Sequence, residues 1–186
     1  MIRMLLTAWL FAAGPAAPAA DLLPTDPVLR TLMEGEAAQA NSDYGVLLET
    51  AGILKALGAR PAKEQDDLAA QWIRQAHDHG VAVSDLAFRG RALGPAYRRG
   101  SLAARESLTL RQLFLAGQRA QISVAPTHGA SGLSMRVQGA DGNTLCDKAV
   151  DGRQSDCAWL PLFTDRYDIV IENGGTMPAD FYLIVR

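Results

Sequence analysis

The chain of 186 residues is poor in the residues that announce chemistry. It has two cysteines, three histidines and three lysines, and aromatic side chains make up 6% of it. Two cysteines exclude a four-cysteine zinc site and a disulfide-dense mini-protein. Three histidines leave few choices of general base. Net charge is also lacking: 18 Lys and Arg against 20 Asp and Glu leave −2, which gives no overall drive towards nucleic acid or an anionic membrane. No apolar run reaches the roughly 20 residues needed to span a bilayer. Hydrophobic residues nevertheless make up 48% of the chain, which excludes a disordered tail.

What is present begins with a compartment signal. Arg3, the uncharged apolar stretch from Met4 to Ala13, and Ala17-Pro18-Ala19 just before Asp21 stand in the order of a secretory signal peptide. The sequence predicts a signal over residues 1–19, a periplasmic or secreted bacterial protein, and no transmembrane segment once the signal is removed. No cysteine lies near the cut, so no lipid anchor is expected. In an oxidising compartment Cys146 and Cys157 are expected to pair, stapling a hairpin or adjacent strands around the Asp151-Gly152 turn. Ten intervening residues do not suit a redox pair, which usually has two.

Between about Asp26 and Gly80 the period is helical. Asp26-Pro27 is an N-cap followed by proline at the first helical position. Val28, Leu29, Leu32, Met33 and Ala37 form one stripe, and Asn41-Ser42-Asp43 breaks it. Tyr44, Leu47, Leu48, Ala51, Leu54 and Leu57 form a second, stopped by Gly58 and Pro61. Leu68, Ala69, Trp72, Ile73 and Ala76 form a third, ended by Gly80. This reads as a small antiparallel helical unit over residues 20–87.

Residues 88–106, punctuated by Gly90, Gly94-Pro95 and Gly100, read as an Arg-rich connector. Residues 88–119 hold seven arginines against one acid, Glu106, whereas residues 21–87 hold five basic and eleven acidic residues. Arg89, Arg91, Arg98, Arg99 and Arg105 are therefore candidate contacts for an anionic partner. The competing reading is intramolecular: the basic strap lies across the acidic helices.

After Ser107 the period becomes two. Runs at Ala120–Val124, Leu133–Val137, Tyr167–Ile171 and Phe181–Val185 alternate, and Leu108–Leu115 and Asp156–Leu160 add two more strands. Turn signals at Pro126, Asp141-Gly142, Asp151-Gly152 and Asn173-Gly174-Gly175 separate them. The expected fold class is α+β, with an antiparallel β-sandwich over residues 107–186.

Phe114-Leu115-Ala116-Gly117-Gln118, Ile122-Ser123-Val124, Asp141-Gly142-Asn143, Cys157-Ala158-Trp159-Leu160-Pro161, Tyr167 to Asn173 and Tyr182 to Val185 together resemble the bacterial pre-peptidase C-terminal domain. The resemblance covers about the last 75 residues. It implies a jelly-roll-like β-sandwich that accompanies another protein, usually a protease. Some members bind calcium through acids in the strand matching Leu133–Val137. Here that strand reads Leu133-Ser134-Met135-Arg136-Val137, so the resemblance carries no calcium site over.

Candidate chemistry is sparse. His77-Asp78-His79 puts two histidines at i and i+2, on different sides of a helix, whereas helical zinc pairs use i and i+4. Ser131 lies in His128-Gly129-Ala130-Ser131-Gly132, which lacks the spacing of a nucleophile elbow. Asp141, Asn143, Asp147, Asp151 and Asp156 leave calcium as the one cofactor to consider, but an EF-hand starting at Asp141 would meet Gly152 where it needs glutamate. No catalytic residue and no metal ligand is assigned. The expectation is a non-catalytic envelope protein that binds a protein or glycan partner, with Tyr97 or Tyr182 as exposed aromatics and Trp159 read as core because it shares a face with Cys157, and with no nucleic-acid role. The alternatives are a hydrolase using Ser131 with His128 or His77, and a structural or folding-assistance module for a secreted enzyme.

Overall fold

The computed structural model describes residues 24–82, 94–128, 132–150 and 152–186. The predicted signal, Arg89, Arg91, Ser131 and Asp151 lie outside them. Three helices come first, α1 (Pro27–Ala40), α2 (Tyr44–Ala56) and α3 (Leu68–Asp78). Each starts on an aspartate whose carboxylate accepts first-turn N–H groups: Asp26 from Val28 and Leu29, Asp43 from Val46, and Asp67 from Ala70. No helix among the described residues is long and apolar enough to cross a membrane.

The strands are β1 (Arg60–Pro61), β2 (Ala96–Leu102), β3 (Ser107–Phe114), β4 (Ala120–Pro126), β5 (Leu133–Gln138), β6 (Thr144–Ala149), β7 (Ser155–Trp159), β8 (Asp165–Asn173) and β9 (Ala179–Val185). They form two sheets, β1-β2-β9-β4-β7 and β3-β8-β5-β6, antiparallel apart from the short β1–β2 pair. The expected α+β class and sandwich are therefore present. Their arrangement has three layers, because the helices cover the outer face of the five-stranded sheet.

Residue alternation explains the layering. Ile122, Val124, Phe181 and Leu183 point between the sheets, where they meet Met135, Val137, Ile169 and Ile171. Ala125, Tyr182 and Ile184 point the other way and share a core with Leu29, Leu32, Leu47, Leu54 and Trp72. A sheet buried on both faces needs nearly continuous apolar strands, and β9 (ADFYLIV) is one. The four-stranded sheet faces solvent on its outer side, and β5 accordingly alternates, with Leu133, Met135 and Val137 buried and Ser134, Arg136 and Gln138 less so.

Three expectations change. The helices do not stand apart as a unit but share a core with the sheet. The sandwich begins at Ala96 rather than 107: the second half of the supposed connector is β2, paired along its length with β9. Its alternation was masked by Gly100 and by arginines at 98 and 99. Gly100 is required there, since a Cβ would sit 2.5 Å from the Phe181 ring. Finally, Cys146 and Cys157 do form a disulfide, with Cα atoms 6.1 Å apart, but it joins β6 to β7, the edge strands of different sheets. It clamps the two layers together rather than stapling a hairpin.

Two consequences are measurable. A disulfide with a sequence separation of 11 constrains the unfolded chain by about 3 kcal/mol, so reduction should lower unfolding stability by about that amount in urea. Thiol titration of the denatured, unreduced protein should find no free thiol. On α1, a Cβ at Gly35 would lie 2.2 Å from the Trp72 indole. Gly35→Ala should cost about 2 kcal/mol in the same assay, and Trp72→Phe in that background should recover part of the loss.

Candidate functional site

The register places three connections, β3–β4, β5–β6 and β7–β8, at one end of the sandwich. Two of them interlock. Gly117 N–H donates to Pro161 O at 2.9 Å, and Ala116 N–H donates to Thr164 Oγ1 at 3.0 Å. Pinned in this way, the loops present an apolar surface: Leu162 is 80% exposed, Phe163 77%, Leu160 59% and Leu115 47%, with Leu113 at 51% leading into it. Beneath them Phe114, Trp159 and Tyr167 pack together, Phe114 against Trp159 edge-on with centroids 4.9 Å apart. The Trp159 indole N–H is buried with no hydrogen-bond partner among the described residues. The β5–β6 turn beside the loops is polar. Asp141 accepts from Asn143 N–H, and this bond, with a second from the Asn143 side chain, holds its carboxyl below the usual range.

Tyr97 and Tyr182 are not exposed aromatics. Both are buried under the helices, where they tie them to the sheet. Tyr182 Oη donates to Glu36 Oε1 on α1 at 2.8 Å, and Arg99 reaches the same oxygen at 3.0 Å. Tyr97 Oη accepts from Leu68 N–H at the start of α3. Arg186, just after β9, pairs with Asp26 and so holds the α1 cap. Arg99 thus meets the intramolecular reading of the basic strap, because its partner is an acid of the helices.

Arg98 takes a different direction. Its register partner on β9 is Leu183, which faces the gap between the sheets, so Arg98 faces it too. Its Nε is buried and has no hydrogen-bond partner among the described residues. It borders a slot of about 190 Å³ at the open side of the sandwich, between β2 and β3. Arg105 is exposed in the β2–β3 turn, with φ of 63°. The structure therefore separates the three described arginines rather than gathering them into one patch.

The remaining candidates are also dispersed. His77 lies 3.7 Å from Asp78 on the surface, His79 stacks on Tyr44, and His128 contacts Thr127. Among the described residues no three His, Cys, Asp or Glu are grouped to hold a metal ion. On β5, where calcium-binding members of the resembled family carry acids, Arg136 bonds Asp147 at 2.9 Å and lies 4.0 Å from Glu172. A guanidinium at that position does not suit a cation. The sequence reasoning missed the apolar loop end, although Leu160-Pro161-Leu162-Phe163 between two strands was its visible signal.

The buried tyrosines have a pH consequence. Burial pushes the Tyr97 phenol up from 10.0 to about 12, against the pull of the Leu68 N–H, with Asp67 and Asp66 adding to the rise. Burial, then the charge of Glu36 and the bond to it, raises Tyr182 as well. The folded state therefore holds protons that the unfolded chain releases near pH 10. The stability is complete below pH 10 and is lost as pH rises towards 12. In a Tyr44→Phe/Tyr167→Phe variant, phenolate absorbance should grow only together with loss of the circular dichroism signal. A phenolate signal in the still-folded protein near pH 10 would contradict the burial.

No protein-family model matches the chain, and none of the curated proteins does. Among solved structures, the pre-peptidase C-terminal domain of the collagenase from Bacillus anthracis is similar at 14% identity and a TM-score of 0.41, over 48% of this chain and 87% of that one. The Yersinia pseudotuberculosis-derived mitogen is similar at 10% identity and a TM-score of 0.44, over 50% and 84%. The Aeromonas hydrophila periplasmic inhibitor of g-type lysozyme is similar at 19% identity and a TM-score of 0.37, over 49% and 83%. The first is of the family type that the strand and turn residues resemble, and each likeness is one of fold alone.

Proposed function

We propose that the protein is an exported, non-catalytic binding module that holds a protein partner at the apolar loop end of its sandwich. The observation that supports this is the exposure of Leu115, Leu160, Leu162 and Phe163 on two loops locked to each other by hydrogen bonds. A contiguous apolar surface in water is unfavourable for a free monomer and marks an interface. Because the loops are already fixed, little ordering entropy is lost on binding. The surrounding polar residues, Arg119, Arg166 and the Asp141–Asn143 turn, supply the rim that such interfaces have. Sugar sites use flat aromatic faces with converging polar groups, whereas three leucines and one phenylalanine suit an apolar protein surface. Export rests on the order of residues 1–21 and on the closed Cys146–Cys157 bond.

The test is capture from envelope extract with the mature chain and with a Leu162→Ser/Phe163→Ser variant. The wild type should retain a defined protein, and the variant should lose it by about tenfold or more while its thermal unfolding is unchanged. Equal capture by both proteins would refute the assignment. So would a glycan that the variant binds as tightly as the wild type.

A further inference from the structure

The two open sides of the sandwich are finished differently. At the β6–β7 side a disulfide joins the layers. At the β2–β3 side they stay apart, and a slot of about 190 Å³ runs between them. Its walls are mostly aliphatic: Leu110 and Ile169 from one sheet, Ala96, Leu183 and Val185 from the other, with Ala62 and one polar amide, Gln112, also lining it. Its ionisable residues are Lys63, Arg98, Arg111 and Tyr97, and no acid lines it. Arg111 is neutralised on the outer face by two bonds to Asp168, at 2.7 and 2.8 Å. Lys63 lies at the mouth, 3.7 Å from Glu64, and both are exposed. Tyr97 belongs to the helix side of β2, where its hydroxyl oxygen accepts from Leu68 N–H at the α3 start. Arg98 is left on the inner face, at an alternation position that on the neighbouring strand is Leu183, with its Nε buried and unpartnered among the described residues.

We propose that this slot is a binding site for a short aliphatic carboxylate, with the carboxylate on Arg98 and the hydrocarbon between Leu110, Ile169, Leu183 and Val185. A guanidinium presents a donor fork that matches a carboxylate, and the buried Arg98 Nε has no partner among the described residues to compete with it. The aliphatic side chains offer the hydrocarbon apolar contact. At about 30 Å³ for a water-sized group, the slot holds about six such groups, the size of a carboxylate with a short hydrocarbon tail. The site is separate from the apolar loop end and does not depend on it.

The test titrates the mature, oxidised protein with hexanoate, followed by calorimetry and by the NMR shifts of the Leu110, Ile169, Leu183 and Val185 methyl groups. Hexanoate should saturate the site. Hexanol, which lacks the charge, and acetate, which lacks the tail, should each bind about tenfold or more weakly. Arg98→Met, which keeps the length and removes the charge, should weaken hexanoate by about the same factor. Ala96→Leu should block the slot with Arg98 intact. Both variants are checked for folding by circular dichroism, and the Leu162→Ser/Phe163→Ser protein should bind hexanoate normally. If Arg98→Met binds as well as wild type, if hexanol matches hexanoate, or if no saturable shift develops into the millimolar range, the proposal fails. Arg98 is then an inward charge that keeps the sheet edge from pairing with another strand.

Discussion

Strand β9 is buried on both faces, and the layers of the molecule are organised around that constraint. Phe181 and Leu183 fill the space between the sheets, while Tyr182 and Ile184 fill the space under the helices. A strand covered on one side only would leave two or three large side chains in water, at a cost of about 1.5–3 kcal/mol each. The helices are therefore not an appended unit. They are the third layer, and the five-stranded sheet needs them. Glu36 is the polar link between the layers, since it accepts the Tyr182 hydroxyl and pairs with Arg99, whose backbone is the register partner of Tyr182.

The same strand order decides where function can lie. The helices occupy one face of the five-stranded sheet, and the disulfide closes one side of the sandwich. The β3–β4/β7–β8 loop end and the β2–β3 side are left open. The loop end carries leucines and a phenylalanine that nothing within the described residues covers, on backbone held by its own hydrogen bonds. The open side carries an arginine among aliphatic walls. As proposed, one takes another macromolecule's apolar surface and the other a small anion, and the two lie apart in the fold.

Much of this architecture was legible in the chain. Capping aspartates and the three- and four-residue spacing marked the helices, because local hydrogen bonding and a single buried stripe leave a periodic trace. The strands with one clear buried face, such as β5 and β8, were legible for the same reason. Strand β2 was not, since Arg98 and Gly100 occupy its inner face and the period-two trace vanishes where one inward residue is charged and the next has no side chain. Strand β6 was missed because an edge strand with polar residues on both faces looks like loop. Tyr97 and Tyr182 looked like surface aromatics because nothing local to them shows that helices far away in sequence will cover them.

The amino-acid sequence by itself determined the three helices and the strands with one buried face, the pairing of the only two cysteines, and the division of charge between an acidic helical segment and a basic stretch after it. These follow from short-range periodicity, capping and composition. The tertiary structure alone decided which layers the disulfide joins, which arginine meets an acid and which faces a cavity, and that four leucines and a phenylalanine are left in water at one end. Those outcomes depend on strand order and register, which are set by contacts between residues far apart in the chain and leave no periodic signal within it.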